Sequence, residues 1–80
     1  MIWMPMDKKD QLAELISNAE TSFYNGQLQE AFSLSLSAIK LDENCADAYQ
    51  CAANVCMSLS RYEDAIEYYQ KVQIYIMLIT

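Results

Sequence analysis

Apolar residues in the first third of the chain recur at helical spacing, with Leu12, Leu15, Ile16, Ala19 and Phe23 on one face. Asp7 opens this segment as an N-cap with Asp10 three residues on, and both carboxylates suit the positive end of a helix. Asn25-Gly26 stops it. A second helix is predicted from about Leu28 to Leu41, closed by Asp42-Glu43-Asn44. The third runs from about Ala46 to Leu59 and turns Tyr49, Ala52, Ala53, Cys56 and Met57 inward. After a break at Ser60-Arg61 a fourth opens at Tyr62, with Tyr62, Ala65, Ile66, Tyr69 and Val72 inward.

One stretch resists this pattern. Phe32-Ser33-Leu34-Ser35-Leu36-Ser37-Ala38 alternates apolar and polar like a half-buried strand, and Asn25-Gly26 upstream is a hairpin signal. Ala19-Glu20-Thr21-Ser22-Phe23-Tyr24 would be a poor partner strand, because it carries no matching alternation. A repeat decides for helix. Sliding the sequence along itself superposes Ala19 on Ala53 and Ala31 on Ala65. The same shift puts Leu15 on Tyr49, Leu28 on Tyr62, Phe32 on Ile66 and Ala38 on Val72. Two helices that cross closely need small side chains at the contact, so the shared small size at the alanine pairs carries more than two identities would.

The period of that shift is thirty-four, and such a period of paired helices resembles the tetratricopeptide repeat. The second half carries the resemblance best, in Tyr49, Ala52 and Ala53 and then in Arg61-Tyr62-Glu63-Asp64-Ala65-Ile66-Glu67-Tyr68-Tyr69-Gln70-Lys71. The junction Ala38-Ile39-Lys40-Leu41-Asp42-Glu43-Asn44, followed by Ala46-Asp47-Ala48-Tyr49, is similar to a boundary between repeats, with Glu43 where the family usually has proline. The first half departs further, since Leu15 replaces the large aromatic, Asn18 the usual leucine, and Ser22 and Ser35 two aromatics. The expected fold is all-α: two tandem helix-turn-helix repeats forming an α-solenoid fragment of four helices. Residues 1–11 are read as an N-terminal extension, 12–45 as the first repeat, and 46–80 as the second with an apolar tail. Leu15, Ala19, Ala31, Ala38, Tyr49, Ala53, Tyr62, Ala65 and Tyr69 are the expected packing positions.

The resemblance implies a non-catalytic module that binds a partner's peptide in a concave groove lined by the first helix of each repeat. Carried over to this chain, the groove residues are Ala13, Ile16, Glu20, Phe23, Gln50, Asn54 and Met57. Their mixture suits a short peptide with an apolar anchor, and the amide of Asn54 can both donate to and accept from a peptide backbone. One subset of the family clamps acidic chaperone tails with a basic residue and an Asn four residues later. Ile16 and Glu20 hold those places here and cannot neutralise a carboxylate, so that activity is not expected.

Composition narrows the partners. Eighty residues make one domain. A net charge of −6, with Lys8 and Lys9 the only adjacent basic pair, disfavours nucleic acid and anionic membrane. With no His, and with Cys45, Cys51 and Cys56 outside zinc spacing, neither a metal, a cofactor nor an enzyme site is expected. The cysteines read as free thiols and, together with a start that lacks a basic n-region, suggest a cytoplasmic chain. Tyr68 and Tyr75 have no evident packing role.

The sequence ends Gln73-Ile74-Tyr75-Ile76-Met77-Leu78-Ile79-Thr80, too short an apolar run to span a membrane. Three readings stand for it. It extends the fourth helix over the open end, or it pairs with a second copy as a homodimer through Ile74-Thr80, or the chain is a fragment or variant of a longer array whose last residues are unrelated to the family. Trp3 and Met4 are further candidates to cover apolar surface. Partner-peptide binding is the leading expectation, in an adaptor, scaffold or co-chaperone-like role, and self-association through the tail is the alternative.

Overall fold

The computed structural model describes residues 7–79, with side chains throughout except those of Tyr75, Ile76, Leu78 and Ile79. The expectation for Trp3 and Met4 lies outside the described residues, as does part of that for the tail. The described chain is four helices: α1 (Lys8–Tyr24), α2 (Leu28–Leu41), α3 (Ala46–Ser58) and α4 (Tyr62–Ile79). Short connections make successive helices antiparallel neighbours. Each helix packs on the next, and α1 also meets α3.

Local chemistry explains the bounds. The Asp7 carboxylate accepts the Asp10 N–H at 2.9 Å and so satisfies one of the orphan donors that open α1. At its other end Gly26 takes φ +80, Gly26 N–H donates to the Phe23 carbonyl at 3.1 Å, and Gln27 N–H donates to that of Ser22 at 2.8 Å. This pair of bonds is the Schellman closure, which needs a left-handed residue. The second repeat copies it with serine: Ser60 has φ 62, with Ser60 N–H on Met57 O at 3.1 Å and Arg61 N–H on Cys56 O at 2.8 Å. Gly26 and Ser60 hold the same place in successive repeats.

The hairpin alternative is excluded. Residues 28–41 are helical, and winding them separates the three serines. Ser33 and Ser37 are exposed, while Ser35 is fully buried and donates to the Ala31 carbonyl at 2.8 Å. That bond is how a hydroxyl is tolerated at a packed position. The end of α2 is sharp without proline. Asp42 turns extended at φ −145, and its carboxylate accepts the Asn44 N–H at 3.0 Å. Tyr49 ties the start of α3 back to this junction by donating its hydroxyl to the Glu43 carbonyl at 2.7 Å.

The core is built largely of alanine. Ala19, Ala31, Ala38, Ala48, Ala52, Ala53 and Ala65 are buried with Tyr49, Val55 and Cys56. Small residues let the helices approach, so close backbone contact replaces large side chains as the packing material. Tyr68 gains a role here: it is half-buried, and its ring lies 6.3 Å from that of Tyr49. Lys71 places its ammonium 5.6 Å from the Tyr49 ring centre.

Three inward expectations are corrected. Tyr62 is 56% exposed, Ile66 54% and Met57 46%. Leu28, Phe32 and Phe23, their counterparts one repeat earlier, are half-buried because the second repeat packs beside them. Among the described residues α4 meets only α3, so nothing performs that service for Tyr62 and Ile66. The tail runs on as helix to Ile79, with Ile74 54% and Met77 74% exposed.

Candidate functional site

α1 and α3 run in the same direction, each antiparallel to the α2 between them, and a cleft of about 220 Å³ opens where they meet. Its α1 wall carries Ala19, Glu20, Phe23 and Tyr24, and its α3 wall carries Asp47, Gln50, Cys51, Asn54 and Val55. The α3 side chains follow from one helical stripe, since 47, 50, 51 and 54 are spaced i, i+3, i+4 and i+7.

Of the groove residues expected from sequence, the cleft brings together Glu20, Phe23, Gln50 and Asn54. Ala13, Ile16 and Met57 do not line it. The register of the walls explains the first two. Cys51 touches Glu20, so α1 and α3 are offset by 31 residues, and Ala13 faces a point before the start of α3 at Ala46. Ile16 falls opposite the first turn of α3, where the wall is only beginning. Met57 is related to Phe23 by the repeat and would face the first helix of a following repeat, which is not among the described residues. Ala19, expected only as a packing residue, and Val55, Tyr24, Asp47 and Cys51 also line the cleft, outside the expected groove. The α3 stripe would have named the last two, because Asp47 and Cys51 sit on the same face as Gln50 and Asn54.

The cleft is an acidic, amide-lined slot with an aromatic lip. Tyr24 is 82% exposed and meets Phe23 edge to face, the ring centres 5.7 Å apart. Tyr69 donates its hydroxyl to Asn54 Oδ1 at 2.5 Å. That bond fixes the amide and turns its N–H₂ into the group available to a ligand. None of the five Lys and Arg lines the cleft. Arg61 lies 5.8 Å from the Phe32 ring centre and Lys71 sits on Tyr49.

Cys51 registers the local negative potential. Burial, then the charges of Glu20, Asp47 and Cys45, push its thiol up to about 11, and its Sγ makes a long 3.9 Å contact with Glu20 Oε1. A thiol held protonated at neutral pH is a poor nucleophile. Cys56 is fully buried, and burial pushes its thiol up as well, in keeping with a packing role. Among the described residues no three His, Cys, Asp or Glu side chains converge as metal ligands. No helix of the described residues is long and apolar enough to cross a membrane.

Two helix-turn-helix units one repeat period apart, with a slot between their first helices, define a tetratricopeptide-type repeat protein, a class of module for contact with other proteins and generally non-catalytic. The family model for subunit 3 of the anaphase-promoting complex, the cyclosome, matches residues 4–72, and the chain belongs to that family. Neither a curated protein nor a solved structure matches the chain significantly.

Proposed function

We propose that this chain is an adaptor or scaffold that holds an extended segment of a partner protein in the cleft between α1 and α3. The observation that carries the reading is the convergence of Glu20, Phe23, Gln50 and Asn54 on one cleft at the junction of the two repeats. The exposed Tyr24 ring beside Phe23 gives an apolar anchor a platform, and aromatic side chains are prominent among residues that dominate interface energy. The Asn54 and Gln50 amides supply donors and acceptors for the backbone of an extended segment. Glu20 and Asp47 repel a carboxylate, so the segment is not an acidic tail, and a chaperone-clamp role is disfavoured on the same ground. The family takes its name from a subunit of a multi-protein complex, which fits a scaffold better than a free co-chaperone. Three free thiols are consistent with a reducing, cytoplasmic setting.

Asn54→Ala is a poor probe of this reading, because it also removes the acceptor for Tyr69. Glu20→Lys with Gln50→Ala alters two exposed side chains and leaves that bond in place. Quantitative capture from lysate should yield partners on the native chain that the double variant loses. Equal capture by both would remove the cleft from the function. A second reading, self-association through α4, draws on the exposure of Tyr62, Ile66, Ile74 and Met77. Loss of self-association on deleting residues 74–80 would support it.

A further inference from the structure

The cleft holds negative charge without positive charge. Glu20 comes from its α1 wall and Asp47 from its α3 wall, both exposed, and no Lys or Arg lines it. Asp47 lies in the first turn of α3, where a carboxylate suits the helix dipole. Glu20 has no such use. It stands one turn before the end of α1, near the negative end of the dipole, and no basic residue in the last turn offsets it. Both charges bear on Cys51. After burial, Glu20 and then Asp47 are the main influences that hold its proton in place, and its Sγ stands 3.9 Å from Glu20 Oε1. Carboxylates on opposite walls therefore act on one short stretch of the cleft.

The register of the walls sorts these groups along the cleft. Cys51 touches Glu20 and the two helices run in the same direction, so Phe23 lies level with Asn54 and Tyr24 with Val55. Asp47 and Glu20 occupy one end, Phe23 and Tyr24 the other. From Glu20 to Tyr24 is one helical turn, about 6 Å along the axis. In an extended chain, residues i and i+2 point the same way and lie about 6–7 Å apart. The cleft volume of about 220 Å³ is below the roughly 300–1,000 Å³ of pockets that enclose a whole small molecule. It has the scale of one long side chain, with the exposed Tyr24 ring beside it for a second.

We propose that the cleft selects a basic residue and an apolar residue two positions apart in an internal, extended segment of its partner. The basic side chain lies between Glu20 and Asp47, and the apolar one lies against Phe23 and Tyr24. Lysine and arginine carry a long apolar stem beneath the charge, so either can follow the wall and still present donors to both carboxylates. Asn54, its oxygen held by Tyr69, offers its N–H₂ to a backbone carbonyl of the segment. A C-terminal carboxylate beside the basic residue is rejected, because it would meet Glu20 and Asp47. This selectivity rests on the cleft being where the partner lies, and the test separates the two claims.

The probe is a display library of linear peptides, randomised at internal positions and selected on the immobilised native chain. Selected sequences should share a lysine or arginine with an apolar residue two positions away. Synthetic copies blocked at both ends are then measured by fluorescence anisotropy. Replacing the basic residue by a neutral isostere, citrulline for arginine or acetyl-lysine for lysine, should weaken binding about tenfold, the sum of two exposed charge pairs. Glu20→Gln with Asp47→Asn should weaken the basic peptide by a similar factor and the neutral one less than about twofold, a difference that a merely structural effect would not produce. Circular dichroism checks that the variant is helical, and the peptide substitutions test the charge without altering the chain. A copy ending in a free carboxylate at the basic residue should bind more weakly than its amide. Peptides that bind the cleft without a basic residue, or that lose equal affinity in both charge states, overturn the proposal and leave the cleft as the binding place. Equal or tighter binding of the free carboxylate also overturns it. A library that yields no binder sensitive to Glu20→Lys with Gln50→Ala removes the cleft from the function and this selectivity with it.

Discussion

The first helices of the two repeats occupy equivalent places and are buried to different extents. α3 buries Ala48, Tyr49, Ala52, Ala53, Val55 and Cys56, whereas α1 buries only Ala19 and Ser22. The second helices differ in the opposite sense, with Ala31, Ser35 and Ala38 buried in α2 against Ala65 alone among the described residues of α4. A helix inside the stack is packed on more of its surface: α2 lies between α1 and α3, and α3 meets all three other helices, whereas α1 packs mainly on α2 and only marginally on α3, and α4 meets α3 alone among the described residues. Position in the stack sets burial here, and the repeat pattern sets only which face is available. The residue types follow: small side chains where helices close on both sides, and larger ones where one side is open.

If that comparison is right, the largest effect comes from overfilling the doubly packed helix. Ala31→Leu should cost about 3 kcal/mol, and Ala65→Leu about 1 kcal/mol, because α4 can shift away on its open side. Paired urea melts check the difference, and equal costs would break the comparison. The coupling of the repeats across the cleft is next. At pH 8 Cys51 should be alkylated roughly a hundredfold more slowly than an unperturbed thiol, since its thiolate fraction falls tenfold for each unit by which the pKa rises. Glu20→Gln should recover part of that rate. The sign for stability follows. Cys51 holds its proton more tightly when folded, so its contribution is present below pH 9 and is lost as pH rises toward about 11.

Smaller effects sharpen the same contrast. Val55→Ala should destabilise by about 2 kcal/mol, while Thr21→Ala at the equivalent exposed site should stay within about 0.5 kcal/mol, both measured by thermal melting. At the matched Schellman turns the signs should oppose. Gly26→Ala meets nothing within 4 Å, so its cost of about 1 kcal/mol is backbone alone. Ser60→Gly should stabilise by somewhat less than about 1 kcal/mol, because the added freedom of the unfolded chain offsets part of the relief.

Helix positions were legible in the sequence because their signals are local. Asp7 caps α1 with its own carboxylate, Gly26 adopts the left-handed turn, and α2 and α4 open at Leu28 and Tyr62 as the spacing predicts. The serine alternation misled in isolation, since only the helical wind reveals that Ser35 leaves the other two. Burial was less legible. Tyr62, Ile66 and Met57 have the right periodicity to be inward, and what they lack among the described residues is a neighbouring helix, which no local window contains. The cleft was half legible for a related reason. The family resemblance named Glu20 and Asn54, but the offset between α1 and α3, and with it the absence of Ala13 from the cleft lining, is a property of the assembled pair.

Whether the cleft holds the partner is tested most directly by hydrogen exchange with and without a captured partner. Slower exchange is predicted in the second half of α1 and along residues 47–55 of α3, and Glu20→Lys with Gln50→Ala should abolish it. Protection confined to α4, with the cleft unchanged, would contradict a partner held between α1 and α3.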